Sequence, residues 1–327
     1  MRLNFTRSLA NASKIQQTGE RNSGWIGYIC GMKHVIDAVK KVDPTLGEDA
    51  SVILGWVYYF DVMSRFSFRH WRTENIKAIA EELGYDSNGS TTCQLQYIMA
   101  RASFTRGVPN IGNHAHPVVR LLAEVSETAL YSSEARYLTS EYQQGLDHLR
   151  SRLENVSTRV STPAAGGAPD ACQALADLSL DINRKWTFQA YSRSEDSPEL
   201  IEKVLELTRL AGLVYLERVS RNLSGHSSKI ETWTQQALTI LHQLASCFCP
   251  FALFIIGCET NRDEDRLVIL DLFTRMEKRP HLPSVHEVKA LIQTAWNQQD
   301  LDEDGELEYI HKLNVVLSSR DVIPSLI

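Results

Sequence analysis

The stretch Phe251 to Cys258, FALFIIGC, contains no charged or amide side chain, and it constrains the fold more than any other part of the chain. A helix that crosses a bilayer needs ~20 apolar residues, so a run this short belongs to a protein interior. An element apolar on every side must also be covered on every side. Several layers of neighbouring elements are therefore required, and the rest of the chain has to supply them. The run ends abruptly at Glu259-Thr260-Asn261-Arg262-Asp263-Glu264-Asp265. That polar sequence predicts the start of another helix, with Asn261 as N-cap and Glu264 closing a capping box.

Apolar residues recur at helical spacing along most of the chain, and no alternating pattern predicts a strand. Segments 25–40, 52–68 and 73–83 predict helices, with stops at Asp43-Pro44 and Gly84. Asp86 to Ser90 reads as a turn, and residues 105–117 as a loop punctuated by glycine and proline. Further helices are expected at 117–131, 133–156, 170–191, 198–223, 227–246, 249–258, 262–278, 284–298 and 306–317. Residues 157–169, STRVSTPAAGGAP, have the composition of a flexible linker. The helices on both sides of it are too apolar to stand alone, so it reads as a loop within one body. The expected fold class is all-α: a single large bundle-like domain over 24–320 with a buried hydrophobic C-terminal helix. Residues 1–23 read as a polar tail. Arg2, Arg7 and Lys14 with no acid before Glu20 faintly resemble a transit peptide, but the segment lacks a sufficient apolar face.

Composition narrows the function classes. The chain is 43% hydrophobic and 23% charged, which suits a globular domain. Its net charge of −6 and the lack of any basic run are wrong for gripping nucleic acid unaided. The cysteines at 30, 93, 172, 247, 249 and 258 follow no framework spacing, which points to a reducing compartment, nucleus or cytoplasm. No membrane association is expected.

Asp61 stands in an otherwise apolar helix with Arg65 one turn later on the same face. A buried carboxylate needs a partner, so an Asp61–Arg65 ion pair is the structural expectation. In a functional reading Asp61, Arg65 and His70 would be the catalytic acid/base set, with Tyr58, Arg69 and Glu259 binding the ligand. Glu259 is otherwise expected to cap, or to pair with Arg262 or Arg266. His114 and His116 form an H-x-H, which is too few ligands for zinc. Asp300 to His311 imitates a calcium loop but puts His311 where the bidentate glutamate belongs. There is no nucleophile elbow, phosphate loop, HExxH or dinucleotide fingerprint, so neither metal nor cofactor is expected. Trp56, Trp71, Trp186, Trp233 and Trp296 read as core.

Several of these segments resemble, in order, the fungal-specific transcription factor domain. FCPFALFIIGCETNRDEDRLVILDLFTRME resembles the family's apolar "PLFI-GCE" helix, polar break and following helix. Trp25 to Gly31, Leu54 to Arg69, Leu207 to Arg218 and Val285 to Trp296 resemble its other signature segments, so the resemblance spans about residues 24–300. In that family the effector domain usually follows a binuclear zinc cluster, six cysteines in some thirty residues. Here no two cysteines stand at C-x2-C spacing, so no such cluster is expected. The helix around Asp61 also departs from the family, with Arg65, Phe66, Phe68, Arg69, His70 and Trp71 replacing a small-residue tail.

The resemblance implies a regulatory effector domain that binds a small-molecule metabolite or a protein coregulator, with homodimerisation possible. One alternative is a cofactor-free isomerase or cyclase of a secondary metabolite, recruited from this fold. The other is a structural protein holding a partner helix in an apolar groove. An enclosed polar pocket beside Asp61 would separate the second reading from the third.

Overall fold

The computed structural model describes residues 48–71, 111–159, 198–245, 247, 249–278, 283–301, 308–320 and 323–326. Among them are nine α-helices and no strand. In chain order these are α1 (Glu48–His70), α2 (Pro117–Ser126), α3 (Ser140–Asn155), α4 (Pro198–Tyr215), α5 (Ser228–Gln243), α6 (Pro250–Cys258), α7 (Asp263–Glu277), α8 (Pro283–Leu301) and α9 (Tyr309–Ser318). A 3-10 turn at Ile111–His114 precedes α2, and a π-turn at Leu216–Ser220 closes α4. The all-α class is as expected. The expected tail over 1–23, the helices at 25–40, 73–83 and 170–191, the turn at 86–90 and most of the 157–169 loop lie outside the described residues.

The apolar run is α6, and every residue from Pro250 to Cys258 is buried. Pro250 suits the first turn, where its missing N–H costs nothing. Helix α6 packs chiefly against α4 and α8. Helix α4 in turn meets α2, α3, α5 and α6, so α4 and α6 lie at the centre. Phe66 of α1, Tyr215 of α4 and Phe251 of α6 meet there, with Phe66 ring centroids 4.9 Å from Tyr215 and 4.2 Å from Phe251. Burying a side chain such as Phe251 or Phe254 contributes ~1.5–3 kcal/mol.

Two glycines set how closely these helices approach. A Cβ on Gly257 would lie 2.5 Å from Ile292 Cδ1 of α8, and one on Gly212 would lie 2.5 Å from Leu122 Cδ2 of α2. The Gly257 carbonyl also accepts from the Trp296 indole at 2.9 Å. Trp71, Trp233 and Trp296 are buried as expected; Trp186 and the Trp56 side chain lie outside the description.

Three local expectations are corrected. Helix α7 has Arg262 as N-cap, with no side-chain capping bond, so the Asn261–Glu264 box does not form. Asp263, Glu264 and Asp265 occupy the first turn instead, where carboxylates complement the helix dipole. Helix α2 ends at Ser126 rather than near 131, because Ser126 and Thr128 hydroxyls bond back to the Ala123 and Val125 carbonyls and compete with the helix ladder. Helix α3 begins at Ser140 rather than 133, where the Thr139 side chain accepts from the Tyr142 N–H, an N-cap strong enough to choose the start.

Candidate functional site

The residues singled out from sequence fall into three separate places. Tyr58, Asp61 and Arg65 share one face of α1, at spacings that bring them together. Asp61 is fully buried and its Oδ2 accepts from Arg65 Nη2 at 2.7 Å, the pair expected from sequence. Arg65 also reaches Glu127 at 3.4 Å. Tyr58 lies over Gly112, and its hydroxyl pKa is raised by burial, with Arg65 opposing and Asp61 adding to the shift.

His70 lies elsewhere. It is nine residues beyond Asp61 on the same helix, hence half a turn out of phase and ~13 Å along the axis. Its Nδ1 bonds Asn314 Oδ1 at 2.7 Å and its Nε2 bonds the Tyr215 hydroxyl at 2.8 Å. Asn314 Nδ2 donates onward to the Tyr131 hydroxyl at 3.0 Å. The network assigns a neutral imidazole that donates from Nδ1 and accepts at Nε2. Burial lowers its pKa to about 4, Asn314 opposing and Arg69 assisting. Arg69 is half-buried, and its charge acts on Tyr142 and Tyr215. The structure thus joins Asp61 to Arg65 but does not bring His70 to them.

Glu259 occupies the third place. It is the C-cap of α6, and its carboxylate accepts from Arg218 Nε at 2.9 Å and from the Tyr309 hydroxyl. The partner is Arg218, not the expected Arg262 or Arg266. Those two pair with Asp265 and Asp300, and Arg266 Nε also donates to the Thr260 carbonyl at 3.2 Å. Arg218 sits in the π-turn, and its Nη1 donates to the Leu223 and Gly225 carbonyls at 2.8 and 2.7 Å. Asn222, at φ 48°, is in the left-handed region that Asn tolerates at a helix end, and its side chain accepts from the Tyr309 N–H at 3.0 Å. One turn therefore aims Arg218 at Glu259 and anchors the start of α9.

This pair stands in the wall of a cavity of about 500 Å³, together with Ile230 and Thr234 of α5, Gln299 of α8 and Tyr309 of α9. The volume falls in the range of small-molecule sites. Of the six residues proposed from sequence, only Glu259 lines it. Arg218, Thr234, Gln299 and Tyr309 were not singled out. Arg218 carried a signal of the kind that marked Asp61: a charge at the end of the apolar stretch LAGLVYLER. Thr234 and Gln299 look like ordinary surface residues in sequence. The pKa of Tyr309 is driven well above its usual value by burial and by Glu259.

The remaining candidates have structural employment. His116 Nδ1 caps α2 by accepting from the Val118 N–H, and burial lowers its pKa to about 4. Asp300, the first residue of the calcium-loop imitation, is held by Arg266 at 2.7 and 3.0 Å; positions 302–307 lie outside the described residues. Cys247, Cys249 and Cys258 are buried and unoxidised.

Helices α1, α4, α6, α7 and α8 carry the segments of the family resemblance, apart from Trp25 to Gly31, which lies outside the described residues. Over residues 14–316 the sequence matches the fungal specific transcription factor domain. The chain belongs to that family. The match begins inside the stretch expected to be a polar tail and extends past the 24–300 span of the resemblance. The chain is also 25% identical over 317 residues to Transcription factor iacI from Pestalotiopsis fici, covering 97% of this chain and 69% of that protein. No solved structure matches it. None of the described helices is long and apolar enough to cross a membrane.

Proposed function

We propose that this fungal transcription factor domain is a ligand-sensing effector module, in which a small metabolite entering the Arg218–Glu259 cavity alters regulatory output. Family membership over residues 14–316 supports the regulatory role. The observation that carries metabolite sensing is the cavity, whose walls come from the α4 π-turn, α5, α8 and α9. A ligand there touches α8 and the turn that closes α4, the two helices that pack chiefly on α6, so its binding energy bears on their relative placement. The net charge of −6 supports a module that does not hold DNA by itself and acts in the nucleus or cytoplasm. A catalytic reading gains no support from α1, where His70 faces away from Asp61.

The test is a reporter assay with the full chain fused to a heterologous DNA-binding domain. Output should differ from that of the DNA-binding domain alone. It should also change when Thr234→Trp fills the cavity, provided the purified variant keeps its helical circular dichroism. A fusion as inert as the bare DNA-binding domain refutes the regulatory role. An active fusion indifferent to Thr234→Trp refutes sensing through this cavity.

A further inference from the structure

Resting on that reading, we propose that the cavity selects an uncharged, hydroxylated small molecule whose O–H group donates to Gln299. The buried charges around the cavity are already matched. Glu259 is satisfied by Arg218 and Tyr309. Asp265 accepts from Arg262 Nε and Gln235 Nε2, both at 3.0 Å. Lys312 is engaged as well. At the Arg218–Glu259 end, where the two side chains are 10% and 4% exposed, a charged ligand would have to break that pair or enter without a counter-charge, and either loses more than it gains.

Neutral polar positions on the same wall are open. Thr234 is 4% exposed, and its hydroxyl has no partner among the described residues. The Gln299 side-chain oxygen is likewise buried and unpartnered. Its orientation is set by its own amide nitrogen, which donates to the Cys258 carbonyl, so the atom left over is an acceptor. Buried polar atoms are rarely left unpaired, and two of them on one cavity wall mark what the missing partner must offer. Gln299 asks for a donor, whereas the Thr234 hydroxyl can meet either kind of group. Ile230 and the Tyr309 ring supply apolar surface for the body of the ligand. Water could satisfy the same atoms, and the probes below separate water from an organic occupant.

Three 1,3-disubstituted benzenes are titrated into the full chain by calorimetry: resorcinol, its dimethyl ether and isophthalate. Resorcinol should bind saturably. The ether, which has no donor, should bind about tenfold more weakly, the scale of one hydrogen bond to a buried partner. Isophthalate should not bind. Thr234→Val and Gln299→Leu should each weaken resorcinol about tenfold. Without ligand, Thr234→Val should melt no lower than wild type, because it removes an unpaired hydroxyl. Preference for isophthalate overturns the ligand class while leaving metabolite sensing intact. No binding of resorcinol, or binding indifferent to both substitutions, overturns the assignment, and the reporter response to Thr234→Trp then decides separately whether the cavity regulates.

Discussion

Acidification should remove a defined increment of stability through His70. The imidazole is buried with its pKa near 4 rather than the ordinary 6.5, chiefly because burial disfavours the cation. Its hydrogen bonds reinforce this. Nε2 accepts from Tyr215, so a second ring proton would point at a hydroxyl already donating to it. The folded pKa lies below the unfolded one, so the unfolded chain takes up protons first as pH falls. The contribution is therefore complete above about pH 6.5 and is lost between there and about pH 4. Linkage over that interval amounts to ~2 kcal/mol lost by about pH 5 and ~3 kcal/mol in the acid limit.

Urea unfolding of wild type and His70→Gln at about pH 7.5 and about pH 5 isolates this increment. Glutamine can donate to Asn314 and accept from Tyr215 but has no proton to gain. Losses from carboxylates and from His116 are common to both proteins and cancel in the comparison. Wild type should lose ~2 kcal/mol more than the variant across the interval. Parallel losses, or a His70 pKa at or above about 6 by NMR titration, would refute the reasoning.

Gly257→Ala should destabilise by ~1–3 kcal/mol in urea melts, because the added methyl meets three atoms of Ile292; a paired Ile292→Val should recover part of that, and no recovery would place the strain elsewhere. Glu259→Leu should cost ~3–5 kcal/mol by stranding the buried Arg218 guanidinium, whereas Arg218→Met with Glu259→Leu should be markedly less costly than the sum of the singles. Strict additivity in that cycle would show the two residues uncoupled. Asp61→Leu should cost ~3 kcal/mol, at the low end for a buried pair, since Arg65 keeps Glu127 within reach; a loss below about 1 kcal/mol would mean that solvent, not Asp61, holds Arg65.

The sites differ in how far they could be read from residues alone. Asp61 and Arg65 are four apart on one helix, so their pairing follows from helical geometry before any packing is known. Glu259 was visible as a carboxylate at the edge of an apolar run, but its nearest arginines in sequence were the wrong ones. Arg218 lies 41 residues away and reaches it only because α4 ends in a π-turn. Asn314 lies 244 residues from His70, and no local pattern announces that contact. The capping box failed for a related reason: the residues were present, but the close of α6 at Glu259 and the acidic first turn of α7 decided where the next helix began.

The sequence by itself determined the all-α class, the wholly buried α6, the Asp61–Arg65 pair and membership of the fungal transcription factor domain family. These depend on periodicity, composition and short spacings, which are properties of neighbouring residues. Only the tertiary structure decided that His70 turns away from Asp61, and that Glu259 joins Arg218 and Tyr309. It alone left Thr234 and Gln299 facing a cavity with unpaired oxygens. Those arrangements depend on which helices lie side by side, and the packing of α4, α5 and α8 on α6, and of α9 on α1, α8 and the π-turn, settles that.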